Sequence, residues 1–328
     1  MLESNLRCDG EVANTAVCKT AIRGCKSRSH LQKMSLPFEL EKSALLTFPG
    51  QEKVLESETP EKTLLERILE PYDRLIGHVY NLKERIVLYG NSFGIFAALA
   101  ATEAMGREEA KELAFRRGQI VRQTERRFAQ EEQLALEHQK DVTQLGRTGM
   151  MRLVKVSPEV RANIMKKYEL HESNNYGTIM VLTGRRNALS AAANELNDKK
   201  RVTLLGIDAA YHDPIRTEDS KKFALEVENA PIVKPKRPII TSTNPRIVEH
   251  PDDIREELVG MMIRPVNLAE IVKAIKELGI SIAADLDPNE SFAKLTGRLE
   301  EAKTWLQVNS PVREFEAFSR LIRTTPAK

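Results

Sequence analysis

The chain has 328 residues, 41% of them hydrophobic and 30% charged, a composition that excludes a wholly disordered polymer. Fifty basic residues against 47 acidic ones leave a net charge of +3, with the basic positions scattered. That excludes a dedicated nucleic-acid binder, whose affinity rests on clustered cations neutralising many phosphates. No apolar run approaches the roughly 18–20 residues that cross a bilayer, so a soluble protein with no membrane partner is expected. The length suits two domains, or one large domain carrying an insertion.

Residues 1–34 hold six Lys/Arg, three Asp/Glu and many small polar residues without periodicity. The segment reads as a poorly ordered tail, extended to residue 42 where the first apolar run approaches. It is either a transit peptide, against which Glu3, Asp9 and Glu11 argue, or an extension upstream of a natural start at Met34. The three cysteines, Cys8, Cys18 and Cys25, all lie in it and form no CxxC pair. No disulfide framework is therefore expected in the folded part, which suits a reducing compartment. The six histidines are dispersed without a HExxH pattern, so no metal site is expected.

Ser43–Phe48 reads as a strand ended by the Pro49-Gly50 turn. Residues 60–84 carry apolar side chains at helical spacing, and Pro71 is expected to interrupt them. Arg85–Tyr89 is a compact buried strand, and Ile95–Met105 is apolar on nearly all sides, as a buried helix is. A long charged helix follows over 108–138. From Gly149 the pattern shortens to a strand (150–156), a helix (158–168) capped by Ser157, a strand (179–183), an Ala-rich helix (187–196) and a strand (201–207). This alternation marks an inserted α+β unit. Beyond it come a helix (217–227), a strand (238–242), a helix opened by Asp252-Asp253, a helix (266–278) stopped by Gly279, and a last strand (280–286).

The most specific local feature is a buried strand, then Gly90-x-Ser92-x-Gly94, then an apolar helix. In such an elbow the glycines permit a strained turn that lifts the serine over a helix N-terminus. The next amide, that of Phe93, can face a developing oxyanion, and the helix dipole adds to it. The bland alternative is a tight strand–helix turn. A serine nucleophile needs a base. His30, His138 and His171 sit in polar or charged surroundings that suggest solvated surface, while His78 and His250 could be either. His212 follows a strand at the boundary between the two sequence regimes, where loops often carry catalytic groups.

The segment from Gly90 to Met105 resembles the GHSxGE(Y/F)AAL segment of malonyl-CoA:acyl-carrier-protein transacylases. Glu109–Gly118 is similar to that family's xDAxxLVxxRG helix, and Thr47-Phe-Pro-Gly-Gln51 to its opening FPGQ. Gly149-Met-Met, then Asn175 with Val181–Gly184, then Ala210–Pro214 resemble in turn its GxMxAV, NSPxQxVISG and xFHSPxM segments. Ile254–Val259 with Arg264-Pro-Val266, then Leu278-Gly-Ile280, resembles IRxxLVxQxxxPVxW…GV. The similarity runs in order over about residues 44–300.

The resemblance implies an α/β fold with an α/β-hydrolase-like large subdomain (43–145 and 209–328) and an inserted ferredoxin-like small one (146–208). It implies Ser92 as nucleophile, His212 as acid–base, the Phe93 amide and Gln51 backbone as oxyanion hole, and Arg117 as the grip on the malonyl carboxylate. Asn91, Asn175 and Met261 would be supporting residues; Tyr211 suits a small malonyl pocket. Malonyl-CoA is then a substrate, with no bound cofactor, and the partner is an acyl carrier protein. A cytoplasmic monomer is expected, or a mitochondrial or plastid one if residues 1–34 are a targeting segment. Asn91, Glu52, Met261 and Asp213 depart from the family pattern, and the distance from Gln51 to Gly90 is about half the usual one. Three readings follow: a malonyltransferase, a non-catalytic relative that binds a carrier or synthase, and a thioester hydrolase. The arginine at 117 and the lack of an identifiable acidic third member weigh against the hydrolase.

Overall fold

Short aliphatic runs make the central sheet, because β-branched and apolar residues suit a pleat covered on both faces. The computed structural model describes residues 44–48, 60–78, 86–286, 291–299, 302 and 307–309. The expected tail over 1–42, its cysteines, and Gln51 lie outside the described residues.

Strands β1 (Ala44–Phe48) and β2 (Ile86–Gly90) run parallel, with Leu46 opposite Leu88. Four more strands complete this sheet: β7 (Ile239–Ile240), β8 (Ile247–Val248), β10 (Ile282–Asp285) and β11 (Gln307–Asn309). The order is β11-β10-β1-β2-β7-β8, parallel except for the β7–β8 pair. All five residues of β2 are buried, as expected for a strand near the middle of a covered sheet.

Helix α1 (Pro60–His78) runs through Pro71 instead of breaking there. A proline inside a helix costs about 3 kcal/mol. Its buried face of Leu64, Leu65, Ile68, Leu69, Tyr72 and Leu75 repays that, at roughly 1.5–3 kcal/mol for each large apolar side chain. The Tyr72 hydroxyl also donates to the Ala101 carbonyl at 2.9 Å, tying α1 to the end of α2 (Gly94–Ala101). Helix α2 is buried almost all round. Helix α3 (Arg107–Glu137) has 31 residues, and Ala110, Leu113, Ala114, Arg117, Val121 and Phe128 share its buried stripe. Arg117 therefore projects from the covered face of a charged helix.

A second sheet takes β3 (Thr148–Val154), β4 (His171–Asn175), β5 (Ile179–Arg185), β6 (Val202–Leu204) and β9 (Val266–Asn267), in the order β6-β3-β5-β4-β9. Helices α4 (Pro158–Tyr168) and α5 (Arg186–Leu196) connect its members, so the chain runs β-α-β-β-α-β from β3 to β6. Strand β9 comes from outside residues 146–208 and adds parallel to β4, with Asn174 opposite Val266. The helix expected over 266–278 thus begins two residues later, as α8 (Leu268–Glu277), with the Asn267 side chain capping it. The two sheets belong to one compact unit. Helices α6 (Thr217–Glu228) and α7 (Pro251–Gly260) pack beside the loop that carries His212. No helix among the described residues is long and apolar enough to cross a membrane.

Candidate active site

The chain leaves β2 through Gly90, where a Cβ would meet the backbone N and Cα of Ile95 at 2.4 Å. Only glycine permits that approach, since the obstacle is main chain and cannot swing aside. Ser92 follows at φ 49°, in the left-handed region, and the Gly94 amide donates to the Asn91 carbonyl at 2.8 Å to close the turn. Phe93 is the N-cap of α2, so its amide lies where intrahelical acceptors run out. The Phe93 side chain is buried against Phe96, with ring centroids 5.5 Å apart.

His212 arrives from the opposite side, on the loop between β6 and α6, at φ 57°. Its Nε2 lies 2.7 Å from Ser92 Oγ, and its Nδ1 lies 3.0 Å from the Arg264 carbonyl oxygen. A carbonyl can only accept, so Nδ1 carries the proton and Nε2 presents its lone pair to the serine hydroxyl. Burial, joined by the Arg117 charge, pulls the imidazole pKa down to about 3, with the Arg264 carbonyl pulling the other way. The ring is a neutral base at neutral pH.

Arg117 is only 3% exposed. Its guanidinium carbon sits 4.9 Å from the centroid of the Tyr211 ring, a cation–π contact, and Nε approaches Met262 Sδ at 3.3 Å. Nη2 is buried without a hydrogen-bond partner among the described residues. Burying a cation with an unfilled donor is costly; Tyr211 and the Glu61 carboxylate offset part of that cost. The guanidinium borders the Ser92–His212 pair, since Tyr211 adjoins His212 and the arginine's field reaches the imidazole. The geometry therefore offers a hydroxyl paired with a neutral imidazole base and, beside them, a buried cation with one unfilled donor.

Ser92, His212, Phe93 and Arg117 thus come together. Asn91 accepts from the Tyr89 hydroxyl at 3.2 Å and hydrogen-bonds to Tyr176, whose own hydroxyl burial pushes up to about 12, so it links the two sheets beside the elbow. Asn175 accepts from the Gly177 amide at 3.0 Å and closes the turn after β4. Met261 is buried at the end of α7. Among the described residues, no hydrogen bond joins Asn175 or Met261 to Ser92 or His212.

Two nearby groups hold the site in ways the residue pattern does not reveal. The Arg264 carbonyl fixes the His212 tautomer, and a backbone acceptor leaves no signature in residue type. Asp213 is fully buried: its amide donates to the Met262 carbonyl at 3.2 Å, and its Oδ1 accepts from the Ile215 amide at 2.8 Å. The same oxygen lies 3.1 Å from Nδ1 of the half-buried His171 on β4. His171 is therefore an inter-element contact and not simple solvated surface.

No family model matches the chain. A curated malonyl CoA-acyl carrier protein transacylase from Haemophilus influenzae is 22% identical over 244 residues, 72% of each chain. The crystal structure of a malonyl-CoA:acyl carrier protein transacylase from Helicobacter pylori superposes with a TM-score of 0.68 at 18% identity, covering 87% of this chain and 99% of that one. A malonyl-transacylase in complex with its type II polyketide-synthase acyl-carrier protein gives a TM-score of 0.60 at 18% identity, over 82% and 95%. In sequence the chain is similar to malonyl-CoA:acyl-carrier-protein transacylases, and its mixed α/β fold is the fold of those enzymes.

Proposed function

We propose that this chain is a malonyl-CoA:acyl-carrier-protein S-malonyltransferase that works through an ester on Ser92. The observation that carries the reading is Arg117: a buried guanidinium with an unfilled donor, beside a Ser92–His212 pair at 2.7 Å. A neutral acyl group would leave that donor unfilled, whereas the free carboxylate of malonate would complete it with charge-assisted hydrogen bonds.

Ser92 Oγ attacks the thioester carbonyl while His212 Nε2 takes its proton. The oxyanion forms against the Phe93 amide at the positive end of α2, and the family resemblance assigns its second donor to the Gln51 backbone. Collapse breaks the carbon–sulfur bond, and the imidazolium returns the proton to the departing thiolate. The carrier's phosphopantetheine thiol then gives its proton to His212 and attacks the ester, and Ser92 recovers a proton as it leaves. The Arg264 carbonyl steadies the transient imidazolium through Nδ1. No step needs a metal or a bound cofactor.

The similarity to malonyl transacylases, one of them seen with its carrier, supports an acyl carrier protein as acceptor and fatty-acid or polyketide synthesis as the setting. We read the parallel-sheet layer as an α/β-hydrolase-like subdomain (43–145 and 209–328). The β-α-β-β-α-β path with strand order β6-β3-β5-β4 is the pattern of a ferredoxin-like one (146–208). A cytoplasmic monomer completes the proposal.

The test is intact mass after incubation with malonyl-CoA, then with a carrier. A malonyl-sized increase lost in Ser92→Ala, weakened in Arg117→Ala and cleared only by carrier supports transfer. Free malonate without carrier would show a hydrolase. Carrier binding unchanged in Ser92→Ala, with no adduct in folded protein, would show a binding relative.

A further inference from the structure

The loop that carries His212 ends in Arg216, one of the largest fully buried side chains among the described residues. Its Nε donates to the Ala210 carbonyl at 2.8 Å, and Nη1 to Asp219 at 3.1 Å. Its Nη2 donates to Thr148 Oγ1 at 2.6 Å and pairs with Glu125. Thr148 Oγ1 accepts in turn from the Ala210 amide at 2.7 Å, and Glu125 Oε2 accepts from the Thr148 amide at 2.8 Å. Both backbone polar groups of Ala210 are therefore held by one charged cluster, two residues before His212.

The other end of that cluster lies on the helix of Arg117. Glu125 stands eight positions further along α3, about 12 Å at 1.5 Å per residue, on the same buried stripe. The cluster thus spans the helix that positions the candidate carboxylate grip and the loop that positions the base. Stability alone is a poor reason for it. Buried ion clusters are often no better than apolar packing of similar volume, and this one sets a single cation between two carboxylates. A geometric reason is at hand: His212 sits at φ 57°, and a non-glycine residue stays in that region only when its surroundings over-determine it.

We propose that Arg216, acting through Glu125 and Thr148, is a positioning residue that fixes the His212 loop against the Arg117 helix. The inference rests on the reading of Ser92 and His212 as a catalytic pair. It does not depend on malonate being the acyl group.

The experiment uses the full chain as wild type, Arg216→Met, Arg216→Lys, Glu125→Gln and the Arg216→Met/Glu125→Gln double variant. Ser92 labelling by a fluorophosphonate probe reads the pair without needing a malonyl group, and malonyl-adduct formation is measured in parallel. Thermal melting reports folding, and NMR of the His212 ring reports its environment. Expected are labelling slowed by about 10- to 100-fold in Arg216→Met, the scale of an ångström-sized misplacement, with a shifted His212 resonance. Arg216→Lys should recover part of the rate, and the double variant should lose less than the product of the single losses. Folded single variants that label at the wild-type rate with His212 unmoved would overturn the proposal. So would loss of folding in all three single variants, which would make the cluster structural alone. Wild type that labels but gives no malonyl adduct would sink the acyl-donor assignment and leave the positioning role standing. Absence of labelling in folded wild type would sink both.

Discussion

Ser92 and His212 touch at 2.7 Å while both occupy the left-handed backbone region, at φ 49° and 57°. Each conformation costs an L-residue on the order of 1–2 kcal/mol. Ser92→Gly should therefore abolish the adduct and melt above Ser92→Ala, which loses the same hydroxyl but keeps the strain, with a stability difference approaching that order of magnitude. A melt showing Ser92→Gly clearly less stable than Ser92→Ala would refute strain at the elbow.

Arg117 should decide which acyl group is accepted. In Arg117→Ala, kcat/KM for malonyl-CoA should fall by about 10²- to 10³-fold, the scale of truncating one partner of a buried charge pair. Acetyl-CoA, which never engages the guanidinium, should change by less than about tenfold. Parallel losses for the two donors would remove the arginine from selection.

The pH profile carries the sign of the imidazole shift. His212 in the folded chain binds a proton only near pH 3, against 6.5 ordinarily, so an unfolded chain gains that proton first as pH falls. Any stability linked to the neutral ring is fully present above 6.5 and is lost as pH drops toward 3. Acylation at low malonyl-CoA should accordingly show no histidine-like acid limb between about pH 5 and 7. Arg117→Ala removes one cause of the depression and should move the limb upward. A wild-type limb centred near 6.5 would contradict the site's electrostatics.

His171 and Asp213 make a second pH signature. Asp213 holds the His171 ring above its ordinary 6.5. Burial raises the Asp213 carboxyl, but His171, the Ile215 amide and Thr183 outweigh it and hold the carboxyl below its ordinary 3.8. The pair's stabilisation is thus present above 3.8 and below 6.5, fading as pH rises through the folded histidine value or falls through that of the aspartate. Melting temperatures of wild type and His171→Ala should differ more at about pH 5.5 than at about pH 8.5. Because the ring is 44% exposed, the difference should be modest. An equal gap at both pH values would dissolve the pair.

Arg264 contacts His212 only through its carbonyl, while its guanidinium reaches Glu256 at 3.1 Å on the outside. Arg264→Ala should leave acylation within about threefold of wild type, as expected for an exposed pair. A loss of a hundredfold would mean that the side chain itself acts in the site.

Much of the architecture was legible because local chemistry and tertiary packing agree. Helix α4 follows Ser157, whose hydroxyl accepts from the Val160 amide at 3.4 Å, and a proline at its first turn. Strand β4, His-Glu-Ser-Asn-Asn, was invisible, because five polar residues show no alternation and form a strand only through pairing with β5. Strand β9 is two residues long and merged with the helical pattern that follows. In the site, the elbow signalled Ser92, and the ordered family motifs singled out His212 and Arg117. The Arg264 carbonyl and the Arg216–Glu125 pair were not readable: the first is backbone, and the second joins residues 91 positions apart.

Strand β9 starts two residues after Arg264 and is hydrogen-bonded into the second sheet, while Ser92 rises from the first. The carbonyl that holds the base thus lies between the end of α7 and a short, proline-containing link to the second sheet, and the nucleophile is rooted in the first. A rotation between the layers by even a few degrees alters the Nδ1 contact and the serine–histidine distance together. The proton-transfer geometry is in that sense a gauge of how the two layers are aligned, because the two contacts of one imidazole ring are referred to both.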